Sequence, residues 1–421
     1  MGWHPHTVTR QSKATTSALV RAGTIAANFV HLAYIGRTLG ASASAPYYTW
    51  IVVSSIAGIL GRRGTDIRVL RTRPEMSASQ WPALWKRTLI GSTITALSTA
   101  AISLTTGWPG GTSTLSVAMA LSIVPTSLTI LCASLLRAQG RSSMGAVFEL
   151  GLSQTLLVAL CAATSPFHRV GINTVAICLV IASGITYYLA QRWATHDTEA
   201  ASTSGAGMSE SDRRSMTLIS MSSAAYFYLN WIPVITLSTH GSSTDVAYFS
   251  SSNRICNVLA IVPLLQLTRQ SPRISNLYFR GDLKGANSII RSMNIFTAAL
   301  VLPVSILIIA FPQIPLLLFG NTFEGAIPTL QVLCLAQAVR TLLGPTDSLA
   351  LATGAERPSL YFGAAAAVAG SLVLLLLAPQ GATVSAGAYG AMMLSYSLAN
   401  AVYLRSKGVH SYLAISFRRE A

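Results

Sequence analysis

The residues able to do chemistry in this chain are few and sit in unusual company. Arg254 lies inside "AYFSSSNRICNVLAIVPLLQL" (residues 247–267), a stretch long and apolar enough for a lipid bilayer. A charge near the bilayer centre costs at least ~2.5–3.5 kcal/mol on insertion scales. Arg254 stands about nine residues into its segment, or ~13 Å at 1.5 Å per residue, near the middle of a ~30 Å core. Either it snorkels to an interface, or its guanidinium holds something negative, for which it offers a bidentate fork that lysine lacks. Arg21 and Arg340 pose the same question. Arg21 sits one to two turns inside its segment, and Arg340 has Asp347 two turns on, so an internal ion pair competes there with substrate contact.

The carboxylates and histidines suggest ion coupling as a second chemistry. Glu149 could carry a proton or sodium ion, or meet Arg137 or Arg141 at the interface. Asp347 is the partner expected for Arg340, and His31 is either a proton relay or a hydrogen-bonded packing residue. "MTLISMSSAAYFYLNWIPVITLST" (216–239) is polar for a segment facing lipid. Ser222, Ser223, Tyr226, Tyr228 and Asn230 suit a watery cavity where hydroxyls and aromatic faces meet sugars, or else hydrogen bonds between helices. Nothing supplies a cofactor or metal site. GxxxxGK[ST], HExxH and GxSxG are all absent, and five cysteines stand singly in apolar runs without a CxxC pair. Any uphill work must draw on H+, Na+, membrane potential or a partner.

These residues must be held by membrane helices. Hydrophobic residues make up 51% of the chain and charged ones 10%, which excludes an ordinary soluble enzyme of this size. A ruler of ~20 apolar residues gives twelve segments: 17–36, 41–61, 88–107, 114–136, 144–164, 170–191, 216–239, 246–268, 292–311, 325–351, 359–379 and 384–404. The net charge of +16, carried by 25 arginines and 4 lysines, then falls on one side. With both termini cytoplasmic, only Arg37 and Arg169 face outward, and Arg21, Arg254 and Arg340 lie within segments. That asymmetry is the positive-inside pattern, and it accounts for the basic charge without nucleic acid. The N-terminus has no short apolar run with a cleavage site, so no cleaved signal peptide is expected.

The polar stretch 195–215 falls between segments six and seven and reads as a cytoplasmic linker between an N-lobe (1–194) and a C-lobe (216–421). The halves are weakly self-similar. "GASASAPYYTW" (40–50) matches "GSSTDVAYFSS" (241–251), placing Gly40 over Gly241 and Tyr47 over Tyr248. "LLRAQGRSSMGAVFE" (135–149) parallels "LALATGAERPSLYFG" (349–363), placing Gly140 over Gly354. The expected fold is therefore all-α integral membrane: twelve transmembrane helices in two six-helix lobes, parallel repeats around a central cavity. Tyr47 and Tyr248 join the candidate substrate-binding residues.

"IGRTLGASASAPYYTW" (35–50), "GILGRRGTDIRVLR" (58–71) and "FPQIPLLLFGNTFEGAIPTLQVLCLAQAVRTLLGPTDSLALATGAERPSLYFG" (311–363) resemble bacterial polysaccharide flippases of the O-antigen type. These belong to the multidrug/oligosaccharidyl-lipid/polysaccharide exporter superfamily. The resemblance implies a bacterial cytoplasmic-membrane protein that moves an undecaprenyl-pyrophosphate-linked oligosaccharide from the inner to the outer leaflet by alternating access. Membrane lipids and polysaccharide-assembly proteins are the implied partners. Peptidoglycan-precursor flippases of the same superfamily carry cavity-lining arginines on their first and eighth helices, roughly where Arg21 and Arg254 stand, but have two further helices. The alternative within the superfamily is a cation-coupled multidrug exporter. A membrane glycan polymerase or ligase would need large outward loops, whereas the outward turns offer only Asp245, Glu324, His168 and His240.

Overall fold

The computed structural model describes residues 6–71, 74–166, 170–195 and 210–412. Arg73, His168, Arg169, Arg418, Arg419 and most of the expected linker lie outside it, as do the side chains of Arg21, Ser222, Ser223, Tyr226 and Arg269.

The described residues form helices and turns, without strands, and the long helices build twelve rods. The first four are His6–Leu39, Ala41–Arg62, Pro74–Thr106 and Ser113–Ala138. The fifth is composite: Ser142–Ala146, a π-helical turn Val147–Gly151, then Leu152–Thr164. The sixth and seventh are Ile172–Thr195 and Glu210–His240. The eighth is broken at Ala260 into Ser243–Leu259 and Ile261–Phe279. Leu283–Ala310, Ile327–Leu343, Glu356–Leu377 and Ala382–Ser406 complete the set. Each expected segment lies largely within one rod.

Seven helices among the described residues are long and apolar enough to cross a membrane, and an eighth if the two pieces of the fifth rod, bent by 44°, count together. The first, seventh, eighth and twelfth rods fall short. Asn28 and His31 dilute the first, serines and threonines the seventh, glycine, serine and tyrosine the twelfth, and the break at Ala260 divides the eighth. Large apolar side chains line the outside as well as the interior: Leu97, Ile306, Val368 and Leu376 are all mostly exposed. The most apolar stretch of the eleventh rod is only 11% buried. That distribution belongs to a multi-pass membrane protein, since lipid tails solvate leucine as well as a core does.

The chain divides into two compact units, residues 1–228 and 229–421, with the boundary inside the seventh rod. In the first unit the fourth rod is central. Its Leu131, Leu135 and Leu136 pack with Val69, Leu84 and Ala190, and Trp85 donates to the Tyr187 hydroxyl at 3.1 Å. The second and third rods cross at glycines. A Cβ on Gly61 would fall 2.7 Å from Ser92 Cα, and one on Gly91 would strike the Gly61 carbonyl.

In the second unit, Leu267, Ile274, Ile290, Leu349 and Leu404 form the core beneath the ninth and twelfth rods. The segment after the twelfth rod is clasped to the ninth. Asn287 donates to the Gly408 carbonyl at 2.9 Å and accepts from the His410 amide at 2.9 Å, while Asn294 donates to the Ser411 carbonyl at 2.5 Å.

The sequence repeat has a backbone counterpart. Gly140 and Gly354 both turn left-handed, at φ 82° and 76°. Each is followed by an amide returning five residues, Arg141 to Leu136 and Ala355 to Ala350, both at 2.8 Å. This is the glycine-closed helix end in which only a residue without Cβ is unstrained.

The Gly61–Gly91 crossing leaves no room for a side chain. Gly91→Ala should lower the thermal midpoint in detergent by several degrees, the overpacking cost being about 1–3 kcal/mol. Gly184→Ala, where an added Cβ meets nothing within 4 Å, should leave the midpoint unchanged.

Candidate functional site

Each unit holds a cavity lined in part by polar side chains. The cavity of the first unit, about 120 Å³, is lined among others by Asn28, His31, Tyr47, Glu149, Gln154 and Thr186. His31, Tyr47 and Glu149, three candidates taken separately from the sequence, therefore share one space. His31 is buried, and its Nε2 lies 2.7 Å from the Tyr47 hydroxyl. The packing alternative for His31 accordingly has its partner. Tyr48 donates to the Leu32 carbonyl at 3.0 Å, which fixes the first two rods against each other.

Glu149 is not a lone carboxylate. Its Oε2 meets Arg137 Nη1 at 2.9 Å, so of the two arginines offered as partners it is Arg137 that forms the ion pair. Arg141 instead lies with its guanidinium 5.9 Å from the Trp193 ring centroid. Glu149 stands on the π-helical turn Val147–Gly151, a local widening often found at functional sites. The turn sits close against the first rod, since a Cβ on Gly151 would fall 2.8 Å from Thr24 Cγ2.

In the second unit Arg254 is buried at 8% exposure on the eighth rod. Its guanidinium carbon lies 4.8 Å from the centroid of the Trp231 ring, a cation–π contact that offsets part of the desolvation of the charge. Ser250, Ser251 and Ser252 are fully buried beside it. Trp231 was not among the residues singled out from the sequence. Its signal was present, as the aromatic next to Asn230 on a polar helix, but pairing it with Arg254 required the fold.

A smaller cavity of about 30 Å³ opens next to it, lined among others by Asn253, Cys256, Asn257, Gln337, Arg340 and Tyr389. Asn253 is 3% exposed, and its Nδ2 has no hydrogen-bond partner among the described residues. Arg340 donates from Nε to Ser397 Oγ at 3.2 Å and reaches Asp347 at 3.8 Å. The expected pair exists, and it leaves Arg340 facing the cavity as well. Asn253 and Asn257 lie four residues apart on the eighth rod, and Gln337 and Arg340 three apart on the tenth. Among the serines of the eighth rod the two asparagines do not stand out in the sequence.

Other candidates have structural tasks. Tyr248 packs edge-on against Phe323, with ring centroids 6.3 Å apart, and a Cβ on Gly325 would fall 2.7 Å from its ring. Asp245 forms a capping box with Ser242 and accepts from the Ala382 amide at 2.9 Å, so this carboxylate ties helix starts together. Tyr228 and Asn230 are half-buried on the seventh rod. Arg21 belongs to the first unit and Arg254 to the second. No group of three or more metal-binding side chains occurs among the described residues. The cysteines are less solitary than the sequence implied, because Cys256 Sγ and Cys334 Sγ lie 3.2 Å apart.

No protein-family model and no curated protein matches this sequence. Solved structures do. A multidrug resistance MATE family transporter of the MOP superfamily, in its inward-facing conformation, superposes with a TM-score of 0.69 at 14% identity, covering 93% of this chain and 98% of that one. The MATE multidrug transporter DinF-BH, solved with a bound ligand, gives 0.62 at 17% identity, covering 94% of both chains. A MOP superfamily transporter from Pyrococcus furiosus, described as having a binding pocket of reverse polarity, gives 0.60 at 14% identity, covering 94% of both chains. The fold is thus a helical membrane-transporter fold. More particularly, this chain has the twelve-helix, two-lobed fold of the MATE transporters.

The Arg137–Glu149 pair predicts a specific pattern of stability. Arg137→Ala leaves a partly buried carboxylate uncompensated and should lower the thermal midpoint clearly. Adding Glu149→Gln should recover much of that loss, as a double-mutant cycle in detergent would register. Equal additive losses would mean the two side chains do not interact.

Proposed function

We propose that this chain is an alternating-access exporter of the MOP superfamily, moving an amphiphilic solute across a membrane. The observation that carries this reading is the match of nearly the whole chain, 93% at a TM-score of 0.69, to a MATE multidrug transporter. The neighbours' descriptions favour a multidrug exporter, and we infer that a cation gradient would drive it. On that reading the cavity holding His31, Tyr47 and Glu149 is the place to look for H+ or Na+ coupling.

A second reading is favoured by charge. The buried residue at mid-helix in the eighth rod is a cation, Arg254, and Arg340 faces the cavity beside it. A cationic drug would be repelled there, whereas an anionic headgroup would be attracted. The Pyrococcus furiosus neighbour is itself described as having reversed pocket polarity and a different function. The anionic solute that this chain's sequence resemblance suggests is an undecaprenyl-pyrophosphate-linked oligosaccharide, flipped outward for surface polysaccharide assembly. Arg254 would hold the pyrophosphate. In this scheme the functional lobes are 1–194 and 216–421, joined by a cytoplasmic linker at 195–215, with both termini in the cytoplasm of a bacterium.

Reconstituted protein separates the readings. Proteoliposomes under an imposed pH or sodium gradient would be assayed for accumulation of a cationic rhodamine dye and, separately, for translocation of a fluorescent polyprenyl-pyrophosphate oligosaccharide. Movement of the dye alone supports the drug exporter, movement of the lipid alone supports the flippase, and movement of neither overturns both. Arg254→Ala should cut lipid translocation at least tenfold while the thermal midpoint moves little. Arg254→Lys should rescue poorly, because an ammonium lacks the planar fork. Normal lipid transport by Arg254→Ala would remove this residue from the site.

A further inference from the structure

Two thiols face each other in the second unit, a place where the expected transport chemistry needs none. Cys256 on the eighth rod and Cys334 on the tenth are 78 residues apart in sequence, yet their sulfurs lie 3.2 Å apart. A disulfide requires about 2.05 Å, so roughly an ångström of approach separates the two states. Cys334 is fully buried, and Cys256 is 5% exposed. Cys256 lines the small cavity of about 30 Å³ that also holds Arg340, room for more than a single water molecule.

We propose that Cys256 and Cys334 are a redox-sensitive pair, which a small hydroperoxide entering this cavity converts to an intramolecular disulfide. Cys256 Sγ attacks one peroxide oxygen. The O–O bond breaks, giving a sulfenic acid on Cys256, and the departing hydroxide leaves as water with the proton of the Cys256 thiol. Cys334 Sγ then attacks the sulfenyl sulfur. The S–O bond breaks, and that hydroxyl leaves as a second water with the proton of Cys334. Two thiols lose two electrons in total, and one hydrogen peroxide is reduced to two waters.

The bond would join the first piece of the eighth rod to the tenth, on the N-terminal side of an interruption in each. Cys256 lies four residues before the interruption at Ala260, and Cys334 ten before the one at Gly344. Oxidation would therefore pin Ser243–Leu259 to Ile327–Leu343 on one side of their bends and leave Ile261–Phe279 and Thr346–Ala352 unlinked. This proposal does not depend on which solute is exported.

The molecule carries its own control. Cys161 and Cys178 are also close enough to influence one another, across the fifth and sixth rods. Neither lines either cavity described above. If cavity access decides reactivity, Cys256–Cys334 should oxidise first.

The test treats full-length protein in detergent with graded hydrogen peroxide, blocks remaining thiols with iodoacetamide, and maps peptides without reduction. The expected result is a Cys256–Cys334 linked peptide, reversed by dithiothreitol, at doses that leave Cys161 and Cys178 alkylated. The linked protein should also show a thermal midpoint several degrees above the reduced form. Cys334→Ser should abolish the link and trap Cys256 as a sulfenic acid that reacts with dimedone. Oxidation of Cys161–Cys178 at the same or lower dose, or fully alkylated Cys256 and Cys334 at every dose, would overturn the proposal.

Discussion

Every polar group that this chain carries into hydrocarbon must find its partner inside the protein, because lipid supplies none. That constraint organises most of what is seen. Buried serines and threonines turn back onto the carbonyl a turn earlier, as Ser92 does to Thr88 and Thr186 to Ala182, both at 2.7 Å. The charges are handled one by one: Arg137 by Glu149, Arg340 by Ser397 and Asp347, Arg254 by the face of Trp231. Much apolar bulk also lies at the periphery, as with Leu97 and Leu376. Small residues such as Gly61 and Gly91 let backbones approach inside. Some of the polar side chains left over, among them Asn253 and Gln154, line the two cavities.

The helical plan was legible because hydrophobic length and arginine placement are one-dimensional signals. Expected segments 41–61, 114–136 and 384–404 correspond to helices Ala41–Arg62, Ser113–Ala138 and Ala382–Ser406. The interruptions were not legible. Nothing in the apolar run "CNVLAIVPLLQL" announces that the helix breaks at Ala260 rather than only bending at Pro263. The π-helical turn at Val147 likewise has no compositional mark. The site was partly legible. Arginine and glutamate stand out against an apolar background, so Arg254, Arg340 and Glu149 were found. Their partners were not all found, because Trp231 and the amides of Asn253 and Gln337 are unremarkable until helices far apart in sequence are laid side by side. The cysteines illustrate the same limit, since spacing along the chain says nothing of two thiols 78 residues apart.

The polarity of the interior bears on how far the fold can be read for function. A shared scaffold fixes how helices move but leaves open what they carry. In this chain the first unit offers a carboxylate already engaged by arginine and a histidine engaged by tyrosine. The second offers two largely buried arginines, Arg254 and Arg340, with amides around the cavity that Arg340 lines. The two units thus differ in the charge they hold inside: a paired carboxylate in one, arginines in excess of carboxylate in the other.

The clasp that ties residues 408–411 to Asn287 and Asn294 has a consequence for how the molecule is made. Helices of a membrane protein enter the bilayer in order, and the ninth is in place long before the segment after the twelfth has been synthesised. Until Gly408 and Ser411 arrive, the side-chain amides of two asparagines on the ninth rod lack the carbonyls they finally hold. The second unit is therefore finished late, by a short polar strap rather than by a helix. Its assembly waits on the ribosome for the very residues that follow the last span.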